Sequence, residues 1–220
     1  MGSPVTALGK NRRGSRHQKP PAKVFLNIPY DSEFQELYLA YIAGLSAFGH
    51  VPRATLEIPS GTRRLDRIFA LIQDCDFSVH DLSRVELDDR RPRVPRFNMP
   101  FELGLSLAWQ RTGKEQHAWF VFEAKERRLA KSLSDLNGTD PFIHRGNATG
   151  VFRELCNAFL RPGRQPTVPE MRKIYLNLRE SVPKILRLAG TRSVFQARVF
   201  KDLCVFASKA ADEFVGKDRS

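Results

Sequence analysis

The chain has 220 residues, 41% of them hydrophobic, and a formal net charge of +12. That is room for one moderate domain plus an appendage, and the basic balance favours anionic partners: nucleotides, nucleic acid or acidic protein surfaces. No apolar run reaches membrane-spanning length and no signal-peptide pattern opens the chain, so a cytoplasmic protein with no membrane partner is expected.

Cys75, Cys156 and Cys204 lie far apart, with no Cys/His spacing that suggests zinc. Such sparse cysteines suit a reducing compartment. The first 23 residues hold Lys10, Arg12, Arg13, Arg16, Lys19 and Lys23 and no acid. Residues 1–22 therefore read as a disordered basic arm, a candidate for weak nucleic-acid contact. A basic protein without any polyanion partner fits the same composition.

Lys23 to Pro29 is a short apolar run bounded by prolines and is predicted to be a buried strand. Tyr30-Asp31-Ser32 is turn chemistry, with Asp31 or Ser32 able to cap the next helix. That helix runs to Gly49 on a stripe of Phe34, Leu37, Tyr41, Leu45 and Phe48. Val51 to Ile58 is a second strand, and Pro52 argues for an edge or early position. After the turn at residues 59–62, Arg63 to Gln73 carries a helical stripe, and Phe77 to Leu82 is a third strand.

Ser83 to Arg96 is dense in charge and proline and reads as a long exposed loop. From Pro100 to Arg111 two periods compete. Phe101, Leu103, Leu105 and Leu107 alternate as in a strand, but Pro100 in the first turn and the Leu103/Leu107/Ala108 spacing favour a helix. Gln116 to Glu123 is a fourth strand, Lys125 to Leu136 a helix ended by Asn137-Gly138, and Pro141 to His144 a short fifth strand. Asn147 to Leu160 is a further helix. This order implies an α/β domain over residues 23–160, with a mostly parallel sheet covered on both faces. Residues 161–169 read as a linker. Glu170 to Leu188 and Thr191 to Val215 read as an amphipathic helical hairpin, with Pro183 able to kink its first helix. The hairpin could pack on the sheet or form a homo-oligomer with a second copy.

The usual dinucleotide and triphosphate loops are absent, as are a Gly-x-Ser-x-Gly elbow and a His-Glu-x-x-His run. His80 inside the third strand reads as a structural histidine. What remains is carboxylates at the carboxyl edge of the sheet, where ligands of open α/β folds sit. Glu102 in a first helical turn should stay ionised beside the helix N-terminus, and an ionised carboxylate can stabilise or attack a sugar C1. The same placement suits a mere capping acid. Asp81 at a strand end could orient a ribose hydroxyl or a leaving base, or simply cap the turn at Leu82-Ser83. Tyr30 and Phe101 offer ring faces for stacking a base.

Asp81-Leu-Ser followed by Asn98-Met-Pro-Phe-Glu102-Leu-Gly-Leu-Ser-Leu-Ala resembles the nucleoside 2-deoxyribosyltransferase-like and prokaryotic TIR-like superfamily. So does strand 1 running into Asn27-Ile-Pro-Tyr-Asp-Ser-Glu-Phe. The resemblance covers roughly residues 23–160 and implies a flavodoxin-like sheet. It implies a glutamate, here Glu102, acting at the anomeric carbon of NAD or of a nucleoside or nucleotide, as substrate rather than added cofactor. Asp81 would assist, and Asn27, Tyr30, Asp31, Asn98 and Phe101 would bind. Ser60, Gly61, Thr62 and Arg63 would open a helix onto phosphate, though Arg63 fits a plain surface base equally. Silent nucleotide-binding modules also occur in this family, so an antiviral defence effector and a nucleotide sensor signalling through the C-terminal helices are both open readings. The C-terminal hairpin lies outside it.

Overall fold

Five short apolar runs of this chain become strands of one all-parallel sheet in the order β2-β1-β3-β4-β5. They are β1 (Lys23–Asn27), β2 (Val51–Ala54), β3 (Phe77–Asp81), β4 (Ala118–Glu123) and β5 (Phe142–Ile143). The computed structural model describes residues 20–59, 61, 63–84, 94–113, 116–136, 138–160 and 163–215; residues 1–19 of the basic arm lie outside them. The strand order is that of a flavodoxin-like fold, with its switch point between β1 and β3. Pro52 sits on β2, an edge strand, where a missing N–H costs least.

The helices are α1 (Gln35–Ala47), α2 (Arg64–Gln73), α3 (Asn98–Arg111), α4 (Arg128–Ser132), α5 (Ala148–Ala158), α6 (Val168–Ala189) and α7 (Ala197–Phe214). Several differ from expectation. The second strand stops at Ala54 and the chain turns through a 3-10 step at Thr55–Glu57. The helix expected over 125–136 is only α4 plus a 3-10 turn at Ser134–Leu136: Arg127 enters it left-handed at φ 63°, and Leu133 leaves the helical region. The region 98–111 is a helix, and it starts at Asn98, two residues earlier than expected.

Alternate residues of β1 face opposite sides. Val24 and Leu26 join the core with α1, whereas Phe25 packs with Ile68, Leu71 and Ile72 of α2. α1 was expected to be amphipathic. Instead eleven of its thirteen residues are buried, because α5, α6 and α7 cover the side the sheet leaves open. A helix apolar all round needs such a second cover. The Thr167–Glu170 capping box starts α6, the helix runs on through Pro183, and Gly190 ends it left-handed at φ 66°.

Ile174, Leu178, Phe200 and Leu203 of α6 and α7 are at most 1% exposed and belong to the same core cluster as β1 and α1. At about 1.5–3 kcal/mol each, their burial is comparable with the stability of a whole domain. The C-terminal helices are therefore part of the fold's main core, not a detachable appendage. Among the described residues no helix is long and apolar enough to cross a membrane.

Candidate functional site

Three carboxylates end up buried at the carboxyl edge of the sheet: Asp81 at 0% exposure, Glu123 at 1% and Glu102 at 7%. Burial penalises a charged carboxylate unless hydrogen bonds or cations replace the lost water. The three differ in what replaces it.

Asp81 is fully furnished. Its Oδ2 accepts from the Tyr41 hydroxyl at 2.6 Å and faces His144 Nε2 at 3.0 Å, and its Oδ1 accepts from the Ser83 N–H at 2.9 Å. Burial alone would raise its pKa, but His144, Ser83 and Tyr41 outweigh it and hold the acid below its usual value. His144 Nδ1 accepts the Gly146 N–H at 3.0 Å, so the imidazole proton sits on Nε2 and points at Asp81. Ser83 Oγ lies 2.9 Å from the same Nε2. A serine, a histidine and an aspartate thus meet, but on one ring nitrogen. A Ser-His-Asp relay needs the two ring nitrogens to serve different partners, so this cluster is scaffold.

Glu123 is also furnished. Its Oε1 accepts the Ala124 N–H at 2.8 Å, and Arg128 Nε donates to its Oε2 at 2.8 Å. Arg128 also donates to the Ser83 carbonyl at 2.6 Å and so ties the end of β4 to the end of β3. Sequence reasoning missed this latch, although the pair, five residues apart across a strand end, was a usable signal.

Glu102 has no such support. No described residue hydrogen-bonds its carboxyl. Burial pushes its pKa up to about 7, and only the charge of Arg64 pulls the other way. This reverses the expectation that the helix N-terminus would keep it ionised. With α3 starting at Asn98, Glu102 falls in the second turn, where the end charge of the helix has faded. Arg64 is the base whose charge reaches it; Arg63, expected to hold phosphate or to be a plain surface base, is exposed and left-handed at φ 61°.

Asp81 faces α1 through Tyr41, while its neighbour His80 faces Asn27 and, through it, the start of α3, the helix that carries Glu102; no hydrogen bond among the described residues joins the two acids. Asn27 donates to His80 Nδ1 at 2.9 Å and to the Met99 carbonyl at 2.7 Å. Both amide protons are used, so Asn27 fastens α3 to the switch point instead of offering them to a ligand. Burial, then the nearby His117, lowers the His80 pKa to about 3. It is therefore a neutral, buried imidazole, and its Nε2 finds no partner among the described residues.

Tyr30 is not a free stacking face. Its ring packs on Tyr38 and Phe195, at centroid distances of 6.5 and 5.9 Å, and its hydroxyl donates to the Leu26 carbonyl at 3.3 Å. Burial raises its pKa, and the charge of Glu102 adds a smaller push in the same direction. Asp31 caps the 3-10 turn that precedes α1 and pairs with Arg96 at 2.6 Å and Arg84 at 3.1 Å, so its carboxylate is spent on structure. Phe101 is 53% exposed beside Glu102 and does present a face. Asn98 and Gly61 are exposed at the starts of α3 and α2. Ser60 and Thr62 lie outside the described residues. Among the described residues no cluster of His, Cys, Asp and Glu could hold a metal ion.

The fit around His144 yields a direct prediction. A Cβ on Gly150 would stand 1.9 Å from the His144 carbonyl oxygen and 2.6 Å from its carbonyl carbon. Backbone cannot yield as a side-chain tip does, so Gly150→Ala must displace His144 from Asp81. A loss of about 1–3 kcal/mol is expected, read as a lower urea midpoint. An unchanged midpoint would mean that α5 is not held against His144.

Comparison with known proteins gives no match: no family model, no curated protein and no solved structure is similar to this chain.

Proposed function

We propose that this protein cleaves the N-glycosidic bond of NAD or of a nucleoside or nucleotide, with Glu102 as the reacting carboxylate. The observation that carries the reading is the contrast among the three edge acids. Two are neutralised by partners, and the third is buried, unpartnered and poised near neutrality at the fold's switch point.

The chemistry follows from that environment. A cationic base-ribosyl group would favour the ionised form of Glu102. As the C1–N bond breaks, its electron pair leaves with the base, and positive charge grows on the sugar. A carboxylate with no competing hydrogen bonds can then stabilise that charge or bond to C1. Water or an acceptor hydroxyl completes the reaction and releases a proton. Exposed Phe101 offers the departing ring a surface.

A second reading, nucleotide sensing without turnover, draws on one observation. The ring of Tyr30, on the turn that follows β1, touches Phe195, on the turn between α6 and α7, so a ligand at the edge would press on the C-terminal helices.

The test incubates concentrated protein with NAD and with a panel of nucleosides and nucleotides, and separates released base by chromatography. Base release absent from Glu102→Gln is expected. Because the anionic form of Glu102 does the work, kcat/KM should rise with pH through about 7 and then level off. A falling profile would make the protonated acid the working form, and no release from any substrate would leave the sensor.

A further inference from the structure

A cavity of about 560 Å³ opens between the turn after β1 and the turn joining α6 to α7. That is the size of a nucleotide-class pocket. Its walls include Tyr30, Asp31 and Gln35 on one side, Arg96 at the foot of α3, and Arg192 and Phe195 from the C-terminal turn. Tyr30 stands at the junction: it lines the cavity, and it follows Asn27, whose side chain holds the Met99 carbonyl three residues before Glu102 on α3.

Charge decides what the cavity would accept. The one acid in its described lining is Asp31, already shared by Arg96 and Arg84. Arg84 also pairs with Glu33. Arg192 is exposed and makes no ion pair or hydrogen bond with any described residue. Three guanidiniums thus meet two carboxylates, and the surplus cation stands on the cavity wall. Guanidinium groups bind phosphate oxygens through paired N–H donors.

We propose that this cavity is the phosphate subsite of the reacting centre, holding the phosphate groups of a nucleotide against Arg192 while its sugar reaches Glu102. The proposal rests on the N-glycosidase reading for the class of ligand. It deepens that reading by giving the C-terminal helices a share in substrate choice, with phosphorylated nucleotides preferred to free nucleosides.

The experiment is calorimetric titration of the full chain at low salt with two probes, ADP-ribose and adenosine. Wild type should bind ADP-ribose at least tenfold more tightly than adenosine, and that preference should shrink as salt rises, roughly as expected when phosphate charge supplies the affinity. Arg192→Ala should weaken ADP-ribose by about tenfold and leave adenosine unchanged, and Arg192→Glu should weaken it further. Arg192 is exposed, so neither change threatens folding. Equal affinity for the two probes, no binding of either, or parallel losses for both in the Arg192 variants would overturn the subsite. The two proposals fail separately. Selective ADP-ribose binding without base release removes the chemistry alone, whereas base release with unselective binding removes the subsite alone.

Discussion

Glu102→Gln should abolish base release, by about 10²–10⁴-fold or more, and at the same time make the folded protein more stable above neutral pH. Both results come from the same unpartnered carboxyl. In the unfolded chain it ionises near 4.5, whereas folding raises its pKa to about 7. Below 4.5 the acid is neutral in both states and costs the fold nothing on this account. As pH rises from 4.5 through 7, the unfolded chain gives up its proton first and stability falls; above 7 the deficit is complete. At about 1.4 kcal/mol per pKa unit it reaches roughly 3.5 kcal/mol as an upper bound. The neutral amide escapes it. Melting curves of wild type and variant should therefore lie close together at pH 5 and separate at pH 8, with the variant higher by several degrees. Identical curves at pH 8 would mean that water already solvates the carboxylate, and the case for a poised reacting group would go with it. A stability gain on removing a reacting group is the usual mark of a site kept at the fold's expense.

Asp81→Ala should do the opposite, with a loss of about 3–5 kcal/mol in urea unfolding. The Tyr41 hydroxyl and the His144 Nε2–H would lose their shared acceptor in a fully buried place. The acid's pKa is lowered in the fold. Its contribution is therefore present above the ordinary carboxylate range and is lost as pH falls through the lowered value, so wild type should be acid-sensitive where the variant is not. If Asp81 instead served a substrate, the variant would lose turnover and keep its urea midpoint.

The contrast between these two acids shows where sequence reading stops. The strands at the centre of the sheet were legible because each is a short apolar run, and Pro52 marked its edge strand by chemistry alone. The stripes of α6 and α7 were legible as well, since they repeat every three or four residues. Which surface they would cover was not, because α1 lies more than a hundred residues earlier. Asp81 looked like a ligand-facing strand end for the same reason: the residues that enclose it, Tyr41 and His144, come from distant parts of the chain and leave no local pattern. Glu102 was singled out by its place in a motif, but the burial that raises its pKa was not foreseen. A shift of the helix start from Pro100 to Asn98 moved it out of the first turn, and its desolvation is set by packing that no spacing reveals. The short α4 failed differently. Its residues suit a helix, and the left-handed backbone at Arg127 limits it from outside the apolar pattern.

The burial of α1 on all sides sets an order on how the protein is made. α1 leaves the ribosome before its outer cover: α6 and α7 follow about 120 residues later. At about 5–20 residues per second, Tyr38, Leu39 and Ile42 wait on the order of ten seconds before their last partners are synthesised. During that interval the nascent sheet carries an open greasy face, which makes it a natural client for a holding chaperone. It also makes the yield of folded protein most sensitive to what happens in α6 and α7.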